Sequence, residues 1–176
     1  NFVIVSGLAL GIDTIAHRAA ISCDAPTVAV LVDLGKISPS KNKQLAGEII
    51  EKGGLLVAEN QPGTTTIAAL FAKRDRIQSG LSTAVFAIET SKDGGTMHAV
   101  RAAGKLSRPV FVPDPVAAKY GDLTAKVIEG TQYLIKNEVA RPYSSSSYEK
   151  ISEELASIAQ RIEMPPSNQA QEGLLL

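Results

Sequence analysis

Five short runs of this chain are largely apolar, rich in β-branched residues and free of alternation: Phe2 to Ser6, Thr27 to Val32, Leu55 to Ala58, Thr83 to Ile88 and Arg108 to Val112. A strand with one solvated face alternates apolar and polar residues, whereas a run without alternation is buried on both faces. Between the runs the period changes. Ile12, Ile15, Ala16, Ala19 and Ala20 recur at the spacing of one helical face, and further helices are expected at about Asn42 to Lys52, Ile67 to Leu81 and Thr96 to Gly104. Buried strands alternating with helices specify an α/β chain, a Rossmann-like parallel sheet with helices on both faces. In such sheets ligands gather at the carboxyl ends of the strands, so function is sought in the loops that follow them.

A length of 176 residues suits a single hydrophobic core. With 44% apolar and 20% charged residues, the composition excludes disorder and collagen-like repeats. No run reaches the roughly 20 apolar residues of a membrane helix. The 18 basic and 18 acidic residues cancel, so bulk charge names neither nucleic acid nor membrane, and any anion site must be local. The single Cys23 excludes an intramolecular disulfide and suits a cytoplasmic protein. Two scattered histidines lack ligand spacing, so neither metal nor cofactor is expected. Toward the end, a helix at about Leu123 to Glu129 and a strand at Gln132 to Ile135 complete a domain over residues 1–140. Residues 141–163 read as a helical extension capped by Ser146 with Glu149. It packs on the domain or on another subunit through Tyr148, Ile151, Leu155, Ile158 and Ile162, and residues 164–176 read as a mobile tail.

Three segments carry candidate chemistry. The first loop, Ser6-Gly7-Leu8-Ala9-Leu10-Gly11-Ile12-Asp13, places two glycines at a helix start, either as a tight turn or as a phosphate cradle. Asp13 and His17, four apart, form a charge-assisted pair or an acid–base dyad. The pair is taken as structural, His17 bonding Asp13 to hold the loop, because no nucleophile accompanies it. The third helix holds Phe71-Ala72-Lys73-Arg74-Asp75-Arg76, three cations in four residues. Arg74 falls in the buried stripe of Leu70 and Ile77 and needs a carboxylate, for which Asp13, Glu59 and Glu89 are candidates. Lys73 and Arg76 are then free for phosphates, and Phe71 is a base-stacking platform or a core aromatic. The fourth loop, Glu89 to Thr96, ends in Gly94-Gly95-Thr96, a second candidate cradle, so the two loops and the basic helix would form an anion-binding rim.

In collinear order, Ser6-Gly7-Leu8-Ala9-x-Gly11-Ile12-Asp13-x-x-Ala16-His17, Pro39-x-x-Asn42, Gly54-Leu55-Leu56 with Glu59 and Pro62-Gly63, Phe71-x-x-Arg74-x-Arg76-Ile77-x-x-Gly80-Leu81-Ser82, and Arg108-Pro109-Val110-Phe111-x-x-Pro resemble the DNA processing protein A family, also called Smf. The resemblance implies a bacterial, cytoplasmic, dimeric protein with no known enzymatic activity. It would bind single-stranded DNA and load the RecA recombinase in natural transformation. It also implies that this chain lacks the family's first strand, its glycine-serine-arginine loop and the winged-helix module that often follows. Leu10 stands where the family usually has a basic residue, Asp75 where it has Asn and Ala72 where it has Pro. Together Leu10, which takes away a positive charge, and Asp75, which adds a negative one, make the rim less positive.

The leading expectation is therefore a recombination mediator. Ser6, Gly7, Gly11, Asn42, Phe71, Lys73, Arg76, Gly94, Gly95 and Thr96 would line the strand, supported by Asp13, His17, Glu59, Arg74 and Glu89. The alternative is a nucleotide sensor or phosphoribohydrolase-like protein with Glu89 or Asp13 as acid/base. It is suggested by Gly94-Gly95-Thr96, which resembles the phosphate loop of related nucleotide-binding proteins.

Overall fold

The structure, a computed structural model, describes residues 2–117 and 125–163. The elements follow as β1 (Ile4–Ser6), α1 (Ile12–Ser22), β2 (Thr27–Leu31), α2 (Lys43–Glu51), β3 (Leu55–Ala58), α3 (Ala68–Leu81), β4 (Val85–Phe86), α4 (Thr96–Lys105), β5 (Val110–Pro113), α5 (Ala125–Lys136), β6 (Arg141–Tyr143) and α6 (Tyr148–Glu163). Every strand pairing is parallel.

Among the described residues the pairings make two three-stranded sheets, β1-β2-β3 and β4-β5-β6, rather than one. The central strands β2 and β5 are the buried ones, as continuous apolar runs require, whereas β1, β3 and β4 are half-exposed. The connection from β3 to β4 returns past β2 and β1, both of which α3 touches, and α3 then packs along α4. That helix pair joins the halves, and Ser79, fully buried, donates its hydroxyl to the Ala99 carbonyl across the seam at 2.8 Å.

Alternation along the strands divides the core into layers. On β5, Val110 and Val112 meet Met97 and Val100 of α4 and Leu134 of α5, while Phe111 meets Ile151 and Leu155 of α6. Residues Ala29 and Leu31 of β2 lie with Leu45, Ala46 and Ile49 of α2. No helix among the described residues is long and apolar enough to cross a membrane.

The chain departs from expectation near its end. Gln132 to Ile135 belongs to α5, not to a strand. A three-residue apolar run cannot separate strand from helix by itself, and here Ile128, Thr131 and Leu134 keep the helical period, with the Thr131 hydroxyl donating back to the Ile128 carbonyl. The last strand comes later, at Arg141–Tyr143, inside the segment read as a helical extension, and Pro142 is tolerated there because β6 is an edge. Before α6 the reciprocal cap is made by Ser144 and Ser147 around a short 3-10 turn, not by Ser146 and Glu149. The expected helix start at Leu123 and the expected tail, 164–176, lie outside the described residues.

Candidate functional site

The loop after β1 is tied down from within. Both oxygens of Asp13 are occupied, by the Ser6 hydroxyl at 2.8 Å and the Ala9 N–H at 2.9 Å, in the first turn of α1 where a carboxylate is favoured. From just before α2 the buried Asn42 amide donates to the carbonyls of Leu8 (2.9 Å) and Ala9 (3.2 Å) and to the Thr14 hydroxyl (2.8 Å). Asn42 therefore holds the loop's backbone instead of facing a ligand. Gly11, exposed with φ of 90°, takes the left-handed turn that opens the helix.

His17 does not bond Asp13. Its Nδ1 lies 2.8 Å from the Thr27 hydroxyl, whose own proton goes to the Ile4 carbonyl. The imidazole must therefore donate from Nδ1, leaving Nε2 a bare acceptor, buried and without a partner. Burial pulls the His17 pKa down, against the attraction of Asp13, so the ring stays neutral.

Arg74 is buried, as its place in the apolar stripe predicts, but none of the three expected carboxylates is its close partner. Its Nη1 donates to the Val30 carbonyl and its Nε lies 3.3 Å from Asp75, close enough for charge pairing though off the line of a hydrogen bond. The guanidinium fills the space where a side chain at position 7 would stand. Gly7 is thus itself buried, an absent side chain that admits Arg74, and not an open cradle. Phe71 lies half-buried with the Arg74 guanidinium 5.8 Å over its ring, so one face of the aromatic is already taken.

Asp75 is the partner that sequence reasoning missed. Burial pushes its carboxyl up to about 6, against the attraction of Arg74 and His98, while Asp13 adds repulsion. Asp13 from the first turn of α1 and His98 from the first turn of α4 therefore both lie within electrostatic reach of this pair. Another missed carboxylate, the buried Asp33, accepts the N–H groups of Gly35 (2.7 Å) and Gly63 (3.1 Å) and closes the loops after β2 and β3. Its signal was legible: an Asp just past a strand with a glycine two residues on is an Asx-turn pattern.

Lys73 and Arg76 point out of α3, each about half exposed, yet they are not free. Both pair with Glu59 at the end of β3, Lys73 at 3.4 Å, and these cations hold the Glu59 carboxyl below its usual range. Two cations share one carboxylate, so the face keeps a single net positive charge. In the loop before α4, Gly94 packs against the Thr90 hydroxyl, Gly95 stands open at the helix start, and the Thr96 hydroxyl points back to the Glu89 carbonyl at 3.4 Å. Gly130 of α5 supports the same loop by donating to the Thr90 carbonyl at 2.8 Å.

Residues 1–156 match the family described as DNA recombination-mediator protein A. The chain belongs to that family. Protein Smf of Escherichia coli is 37% identical over 135 residues, which cover 76% of this chain and 34% of that protein. DNA processing protein A of Streptococcus pneumoniae superposes with a TM-score of 0.68 at 32% identity, over 82% of this chain and 48% of that one. The protein of the same name from Helicobacter pylori, whose structure addresses a unique mode of single-stranded DNA binding, gives 0.70 at 26% identity over 90% and 66%. The chain thus spans between a third and two thirds of the length of these relatives. Family membership and the two superpositions bear out the Rossmann-like reading of the sheet.

Proposed function

We propose that this chain forms the strand-binding part of a recombination mediator and holds single-stranded DNA along the rim made by the loop after β1, helix α3 and the start of α4. The observation that carries this reading is the division of labour on α3: Arg74 is buried as an anchor while its neighbours Lys73 and Arg76 stand in solvent. Non-specific strands need cations that track phosphates on a rigid support, not a reaction centre. In this reading Lys73 and Arg76 exchange Glu59 for phosphates, and the exposed backbone at Gly11 and Gly95, with Thr96, donates to the same strand. Ser6, Gly7, Asp13, His17, Asn42, Gly94, Glu89 and Arg74 hold those groups in place, and the open side of Phe71 stacks a base. RecA loading, a homodimer and a cytoplasmic setting complete the proposal by family resemblance. Of the two acid/base candidates of the hydrolytic alternative, Glu89 and Asp13, the second has both oxygens already engaged in holding the first loop.

Titration of a fluorescent oligothymidylate of roughly 30 bases at several salt concentrations, with duplex competitor, tests the reading. Salt-weakened binding that prefers single strands is expected. Lys73→Ala/Arg76→Ala should weaken it and reduce the salt slope by about 1.4, at about 0.7 per phosphate on a single strand. Binding unchanged in that double variant would rule these residues out.

A further inference from the structure

At the opposite end of the second sheet, where β5 and β6 begin, lies a shallow cavity of about 540 Å³, wide open to solvent and lined by Arg108, Pro109, Arg141, Glu154, Ile158, Arg161 and Ile162. It is separated from the rim by the length of the strands, about 13 Å for four residues at ~3.3 Å each. Among the described residues, three guanidiniums face a single carboxylate here. Arg141 is committed: Glu154 accepts its Nη2 at 2.6 Å, and the guanidinium stacks 4.6 Å over the Phe111 ring. The other two are not balanced. Arg108 has a buried Nε without a hydrogen-bond partner, and Arg161 donates its Nε to the Ser157 carbonyl of its own helix at 3.3 Å. Neither is in an ion pair among the described residues.

Two guanidiniums without an acidic partner among the described residues line one concavity, and an anion with several oxygens can take forked, charge-assisted bonds from both. Pro109, Ile158 and Ile162 add an apolar wall, and the volume falls in the range of small-molecule sites. We propose that this cavity binds a phosphate-bearing small molecule of up to nucleotide size, independently of the strand-binding rim. Arg108 and Arg161 take the phosphate oxygens, the isoleucines receive the organic part, and Glu154 competes with the ligand for Arg141.

Calorimetric titration of the chain with thymidine monophosphate, and separately with pyrophosphate, tests the assignment. At least one probe should bind, and Arg161→Gln, an exposed change with no packing to lose, should weaken it roughly tenfold, the loss of one charge-assisted contact. Glu154→Gln should tighten it by a similar factor by releasing Arg141, an outcome that damage to the fold cannot mimic. Lys73→Ala/Arg76→Ala should leave it unchanged. Absence of binding by both probes, affinity indifferent to Arg161→Gln and Glu154→Gln, or loss in the rim variant would each overturn the proposal. Failure here leaves the DNA reading standing, because the rim variant and the oligonucleotide titration test that separately.

Discussion

Gly7 and Arg74 occupy one volume between them: the guanidinium that donates to the Val30 carbonyl lies where a side chain at position 7 would be. Neither residue is explained alone. The glycine is needed because the arginine is buried, and the arginine can be buried because the glycine leaves room. Gly7→Ala would displace a buried, hydrogen-bonded charge, so a loss of about 2–3 kcal/mol is expected in urea unfolding. In the double variant with Arg74→Ala, the alanine at position 7 should cost much less, since the overlap is gone.

Asp75 should give the domain an acid-range stability signature. Its carboxyl stands at about 6 in the folded chain against an ordinary 3.8, so between those values the folded state binds more protons than the unfolded one. Its contribution is therefore fully present below pH about 4 and lost as pH rises through about 6, a swing of about 3 kcal/mol at most. His17, with its pKa lowered, acts in the opposite sense and loses stability as pH falls. Comparing parent with Asp75→Asn in thermal melts cancels the histidine. The stability difference should move in the variant's favour by up to about 3 kcal/mol as pH rises from 4 to 7.5, superimposed on a constant loss from leaving Arg74 without its anionic partner.

Asn42 joins the first loop to the start of α2. With alanine there, the Leu8 carbonyl, buried with its side chain, loses its donor, which costs about 1–3 kcal/mol. Hydrogen exchange should quicken at the Ala9 amide, which donates to Asp13, more than in β5, which is remote from the loop.

Glu59 competes with DNA in the proposed reading. Glu59→Gln releases Lys73 and Arg76 together, so the affinity for single strands should rise and its salt dependence should steepen. Since all three side chains are exposed, the unfolding midpoint should stay where it is.

The layered α/β plan was legible because continuous apolar runs and helical periods are local, repeated signals. Arg74 could be placed inside from its position four residues after Leu70. Its partners could not, because a backbone carbonyl on β2 and the adjacent Asp75 leave no spacing pattern. His17 illustrates the same limit. The four-residue interval to Asp13 is real on the helix, but Thr27, brought alongside by strand pairing, gives the ring a better hydrogen bond. The break into two sheets was hidden for a related reason, since strand pairing is a long-range property. Arg108, Arg141 and Arg161 lie far apart in sequence and meet only where α6 folds back.

The two half-sheets share no strand pairing among the described residues, and the α3 and α4 seam holds them together. The spacing between the two glycine loops is therefore a matter of mechanics. It is set by how deeply small side chains such as Ser79 let one helix sink into its neighbour, so the domain's grip can be tuned by volume at a position that never meets the ligand.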